Sequence, residues 1–175
     1  MRVKFALAAV MTIALSAAQA QAKDSDDYRI ARGFKIAPVS LNLAGLDRAQ
    51  VGLGSYFVNA AGGCNDCHSV QPFANGGDPY LGQKKKVKQS TYLSGGRAFG
   101  PFISPNLTPN AKGRPAGLTQ AQFLSAMRTG RDPGDPSRLL QVMPWPIYQD
   151  MRDSDLKAIY AYLQAVPSLP SPPAP

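Results

Sequence analysis

Cys64-Asn65-Asp66-Cys67-His68 is where residue types and spacing converge on one chemistry. Two thiols three positions apart lie on the same side of one helical turn, so both can bond the two vinyl groups at one porphyrin edge. The adjacent imidazole can then reach an iron at the ring centre. Cys-x-x-Cys-His is the attachment signal of a covalent c-type haem, and a single motif predicts one haem c held by Cys64 and Cys67. Two other chemistries use paired cysteines. A redox-active dithiol follows a strand in an αβ pattern, and no such pattern precedes Cys64. A zinc site would have three ligands at most, all within five residues, with no second pair. The chain holds two cysteines and one histidine, which excludes four-thiolate centres, two-histidine metal sites and bis-histidine haem ligation within it. Glutamate is absent, so any carboxylate role falls to aspartate.

With His68 on one face of the iron, methionine is the natural ligand for the other. Met1 and Met11 fall in an N-terminal apolar run, which leaves Met127, Met143 and Met151. Met127 lies in a helical segment beside Phe123 and Leu124, where methionine is more often core filler. Met151 stands just before the last helical segment and can pack against it. Met143 sits in Gln141-Val142-Met143-Pro144-Trp145-Pro146, a stretch stiffened by two prolines. A thioether–iron bond is weak and needs that rigidity, so Met143 is the expected ligand.

The elements that must position these groups are helical. Leu53, Tyr56, Phe57, Ala60 and Ala61 repeat at helical spacing, which predicts a helix over 47–61, opened by Asp47 with Gln50 and closed by Gly62-Gly63. A second helix is predicted over 120–129, with Thr119 and Gln122 as its capping pair and Gly130 as its stop. A third spans about 154–165, with Leu156, Ile159, Tyr160 and Leu163 on one face and Asp153 and Asp155 near its positive end. Residues 69–117 and 131–150 carry many turn residues and read as loops. That much irregular chain is rarely tolerated unless it wraps something, and a cofactor would serve as the missing core.

At the N-terminus, Arg2 and Lys4 precede an apolar run from Phe5 to Ala18 and small-x-small sites ending at Ala20 or Ala22. This is the layout of a cleaved signal peptide, 1–22, and the run is too short to span a bilayer. The expected location is the periplasm, with no membrane span after cleavage. Residues 23–46 read as an extended leader and 168–175 as a Pro-rich tail, disordered or extended. The chain carries a formal charge of +8, but nucleic acid is not an expected partner of an exported protein. Lys84, Lys85, Lys86 and Lys88 form a basic loop whose reading lies between solvated surface and a docking patch.

Taken together, these marks resemble the class I, mitochondrial-type cytochromes c, in their bacterial monohaem branch. The resemblance runs from about Asp47 to Val166. It rests on the helix leading into Cys64-x-x-Cys67-His68, on Met143 before the last helix, and on Tyr160 and Tyr162 in that helix, which crosses the first near Gly52 or Gly54. Ile103-Ser104-Pro105-Asn106-Leu107-Thr108-Pro109 and Met143-Pro144-Trp145-Pro146 are similar to cytochrome domains found beside dehydrogenases. The resemblance implies an all-α fold, 47–167, with few helices and long loops wrapped around one haem c. It also implies that a proline carbonyl orients the proximal imidazole, and Pro79 is the expected donor of that carbonyl. The expected function is single-electron transfer between redox proteins, a dehydrogenase as donor and an oxidase or cytochrome as acceptor, without catalysis by the chain itself. Trp145, Tyr148, Phe99 and Phe102 are expected to pack near the haem. Alternatives are an obligate cytochrome subunit of a dehydrogenase complex, or a haem-based sensor in which Met143 is displaced by a ligand.

Overall fold

Asp47 opens the helix that leads to the motif: its carboxylate accepts from the Gln50 amide at 2.9 Å, leaving one fewer unpaired donor at the helix start. The computed structural model describes residues 26–173. The signal peptide expected over 1–22 lies outside the described residues, as do 174–175 of the tail.

Helix α1 covers 26–36, so this part of the expected extended leader is corrected to a helix. It forms because it has a surface to pack on. Gly33 meets the Gly52 backbone, and a Cβ on Gly52 would lie 2.6 Å from the Phe34 ring. The Ser55 hydroxyl donates to the Gly33 carbonyl at 2.7 Å. Helix α2 (Arg48–Tyr56) continues into a wider π turn, Phe57–Ala61, and the single turn α3, Cys64–Cys67, follows.

Next come two 3-10 turns, Pro79–Leu81 and Gln89–Thr91, and a two-residue antiparallel hairpin, β1 (Ala98–Phe99) and β2 (Phe102–Ile103). Helix α4 (Gln120–Thr129) carries the predicted Thr119–Gln122 capping box. Gly130 ends it at φ 64°, a left-handed conformation that glycine adopts without penalty. Helix α5 (Trp145–Tyr148) is a short turn inside the expected loop 131–150, and α6 spans Asp153–Ala165.

The core forms where α6 lies across α2. Val51 of α2 and Val58 of the π turn are fully buried with Leu156 and Tyr162 of α6, while Phe123 and Met127 of α4 close the other side. The crossing point is Gly54, where a Cβ would fall on the Ala158 carbonyl. Gly54, not Gly52, therefore receives α6, and Gly52 receives α1. Phe123 and Tyr160 pack with ring centroids 5.6 Å apart. Arg128 of α4 reaches Asp153 of α6 at 2.6 Å, an exposed pair that adds little to stability. Beyond α6 the chain runs extended along residues 96–108, tied there through Leu169.

Candidate functional site

The motif is presented by one turn of helix. Gly62 ends the π turn and the His68 amide donates to the Cys64 carbonyl at 2.9 Å, which puts both thiols on one side of α3. Neither is in a disulfide; Cys64 is half-buried and Cys67 exposed. Burial pushes the Cys64 thiol up to about 12, so it stays protonated at neutral pH and is a poor attacking nucleophile for dithiol exchange.

The residues between the ligating types do the anchoring. Asn65 donates to the Pro72 carbonyl at 3.0 Å and accepts from the Ser69 hydroxyl at 2.7 Å. Ser69 in turn accepts from the Leu93 amide at 2.9 Å. Asp66 accepts from the Tyr80 hydroxyl at 3.0 Å, and its carbonyl accepts from Arg97 at the root of the hairpin. The motif is thus stitched to the chain on both of its sides.

His68 is 9 % exposed. Its Nδ1 lies 2.9 Å from the Pro105 carbonyl. A carbonyl only accepts, so the proton sits on Nδ1 and Nε2 keeps its lone pair. Burial holds the imidazole below its usual pKa, with the Pro105 bond opposing, and the neutral ring is the form that binds a metal. The carbonyl expected from Pro79 is a correction: Pro79 starts a local 3-10 turn and its carbonyl accepts from the Gly82 amide at 3.0 Å. Pro105 belongs to the Ile103–Pro109 stretch already conspicuous in the sequence, but nothing there assigned its carbonyl to His68.

Burial sets Met127 apart from the other two methionines, which both pack half-buried against the core. Met127 is 5 % exposed and part of the core. Met151 is half-buried against that core. Met143 is also half-buried, held in a tight turn by its amide to Gln141 O at 2.8 Å, after Val142 at φ 71°. Its carbonyl accepts from the Trp145 amide at 2.9 Å, and α5 follows at once. Tyr148 of α5 reaches the Gly62 carbonyl at 3.4 Å, bringing the Met143 segment to the motif. Burial first, then the nearby Cys64 and Cys67, raise the Tyr148 phenol to about 12. Trp145 lies against Gly130. Phe99 is half-buried beneath the Arg97 guanidinium, 5.6 Å from its ring centroid, and Phe102 is partly exposed on the facing strand.

One buried network was not legible in the sequence. The Tyr92 hydroxyl donates to Asn59 at 2.6 Å and lies 2.8 Å from the Tyr162 hydroxyl, and Asn59 donates to Tyr162 at 3.1 Å. Burial, chiefly, lifts both phenols above their usual range. These groups lie dispersed over three segments, so no local spacing joins them. Among the described residues no cluster of three or more His, Cys or Asp is placed to hold a metal ion. None of the described helices is long and apolar enough to cross a membrane.

No family model matches the chain. It is 34 % identical over 115 residues to the gluconate 2-dehydrogenase cytochrome c subunit of Pantoea cypripedii, covering 65 % of this chain and 22 % of that one. It is 32 % identical over 130 residues to the fructose dehydrogenase cytochrome subunit of Gluconobacter japonicus, covering 72 % and 23 %. Over 111 residues it is 31 % identical to a diheme cytochrome c-type protein of Cereibacter sphaeroides, covering 61 % and 33 %. The chain thus spans between about a fifth and a third of these relatives' lengths. The matches support a cytochrome c, and cytochrome c subunits are electron carriers rather than catalytic enzymes themselves. The helical architecture, with little strand, is compatible with a cytochrome fold.

Proposed function

We propose that the chain is an exported monohaem cytochrome c of the class I type, moving single electrons between redox proteins in the periplasm. Cys64 and Cys67 would hold the haem through thioether bonds, and His68 and Met143 would ligate its iron. The observation that carries this reading is the His68–Pro105 bond at 2.9 Å, beside two unpaired thiols on one helical turn. The donor set fits a haem c: two free thiols on one helical turn stand beside an imidazole whose Nδ1 is engaged by Pro105, leaving Nε2 for a metal. Bound there, a haem c supplies a one-electron couple, and a thioether ligand favours its reduced state.

The chain's own residues do the rest. Pro105 fixes the ring of His68 and raises the basicity of Nε2. The prolines around Met143 hold its thioether in place at little entropic cost. A haem held by both His68 and Met143 would have no open position for a substrate. A redox donor and acceptor are the partners of such a carrier.

A second reading, an obligate cytochrome subunit of a dehydrogenase complex, is favoured by the names of the relatives. Co-purification of the exported protein with a dehydrogenase would select it. The test of the haem reading is intact mass under denaturing conditions, together with the visible spectrum of the reduced protein. One haem retained on the polypeptide is the expected result. Haem that extracts freely into acid acetone would sink the proposal, and carbon monoxide binding at neutral pH would point instead to a sensor with a displaceable ligand.

A further inference from the structure

The segment that carries Pro105 has little structure of its own. It runs beside residues 93–97: Gly96 donates to Ser104 O at 2.9 Å, Ser104 to Arg97 O at 2.9 Å and Leu107 to Leu93 O at 2.8 Å. The inner chain is joined to the motif, since the Gly95 amide donates to the His68 carbonyl at 2.8 Å. Gly95, at φ 76°, allows the close approach; a Cβ there would lie 2.6 Å from the Pro105 and Asn106 backbone. The outer face of this two-chain ribbon is covered by the C-terminal tail.

The cover is a two-point clasp. The Asn106 carboxamide donates to the Leu169 carbonyl at 2.8 Å, and the Leu169 amide donates to the Thr108 hydroxyl at 3.1 Å. Asn106 and Thr108 are locked together, because the Asn106 oxygen accepts from both the Thr108 amide and its hydroxyl at 2.8 Å. Thr108 is buried. Farther along, Pro172 is seated on Gly96, where a Cβ would lie 2.8 Å from its ring. The prolines at 167, 170, 172 and 173 hold the tail extended before it docks, so ordering it costs little.

We infer that residues 168–172 are a strap holding the Pro105 carbonyl against His68, with Asn106, Thr108 and the Leu169 backbone as positioning groups for the imidazole. The inference rests on the reading of His68 as an iron ligand. A partner that accepts from Nδ1 gives the ring anionic character, which stabilises the oxidised metal. Loosening the strap frees the 104–108 segment, weakens the Pro105 bond and shifts the potential upward.

Stopping the chain after Pro167 removes the strap without touching the ribbon. Helix α6 stays anchored, since the Ala165 carbonyl still accepts from the Asn42 amide at 2.8 Å. In the truncated protein, exchange of the Gly96, Ser104 and Leu107 amides and of the His68 Nδ1 proton should be roughly tenfold faster, the size expected for loss of one or two hydrogen bonds. The potential should rise, while amides of Val51 and Leu156 keep their protection. Thr108→Val, which keeps the shape and removes one point of the clasp, should give a smaller shift in the same direction, and it decides the matter if the truncated chain does not fold. Unchanged His68 and ribbon exchange with an unchanged potential overturns the strap, as does uniform loss of protection through α2 and α6. Wild-type protein without covalent haem would sink the haem reading instead, and the ribbon amides alone would then decide the strap.

Discussion

At the scale of single residues, burial separates Met127 from Met143 and Met151, and the proposed ligation separates Met143 from both. Met127 is core, 5 % exposed among α4 and α6. Met127→Ala should therefore cost about 2–5 kcal/mol of stability, the range for truncating a buried methionine, with the visible spectrum intact. Met143→Ala should remove the far-red sulfur-to-iron band and lower the potential, with a smaller stability cost because its side chain is only partly buried. Visible spectra, potentiometry and thermal melts of both variants and of Met151→Ala check this. Loss of the band in the Met151 variant, with Met143→Ala unaffected, would reverse the assignment. The local geometry of the candidate site was legible, since Cys64, Cys67 and His68 stand within five residues and fold as one helical turn and its cap. The carbonyl that holds His68 was not. It comes from Pro105, 37 positions away, and any proline in the intervening loops fits the sequence equally well until the chain path is known.

The same division between local and distant causes holds for the elements. Helix α4 begins and ends at the predicted residues because Thr119, Gln122 and Gly130 are local signals. Helix α1 is not legible in the sequence because its stability is borrowed: Ile30 and Phe34, one helical turn apart, rest on Gly52 of another helix. Helix α5 was missed because Pro144 and Pro146 read as breakers, although Pro in the first turn starts a helix well. The α2–α6 crossing depends on Gly54 in a way the sequence only narrowed to two glycines. Gly54→Ala places a methyl on the Ala158 carbonyl, so the helices must separate. The expected cost is about 1–3 kcal/mol, the usual range for overpacking. Gly134→Ala, where the nearest atom is an ordinary contact at 3.4 Å, should leave the melting temperature nearly unchanged. Equal melting temperatures for the Gly54 variant and wild type would show that α6 does not bear on α2 at that point.

For the whole molecule, a net charge of +8 matters only through where it is placed. Lys84, Lys85 and Lys86 are exposed on a loop that the fold staples close behind the motif. Phe73 and Val87 form an antiparallel bridge, and Ala74 and Lys86 are joined at 2.9 Å through the Ala74 amide. Tyr80, 77 % exposed, connects the same loop to Asp66 between the two cysteines. Positive charge held beside a one-electron centre speeds encounter with an acidic partner and fixes its orientation. Steering of this kind is screened beyond about 8 Å at physiological salt. Lys88 stands apart from the other three, because its ammonium is engaged by the Gln71 side chain. Changing Lys84, Lys85 and Lys86 together to Gln should therefore slow bimolecular electron transfer to an acidic redox partner at low salt and flatten its dependence on ionic strength. Lys88→Gln alone should do much less. Stopped-flow rates across a salt series for wild type and both variants provide the measurement. Identical rates and slopes in all three proteins would make the loop ordinary solvated surface, and the docking face would have to lie elsewhere around the motif.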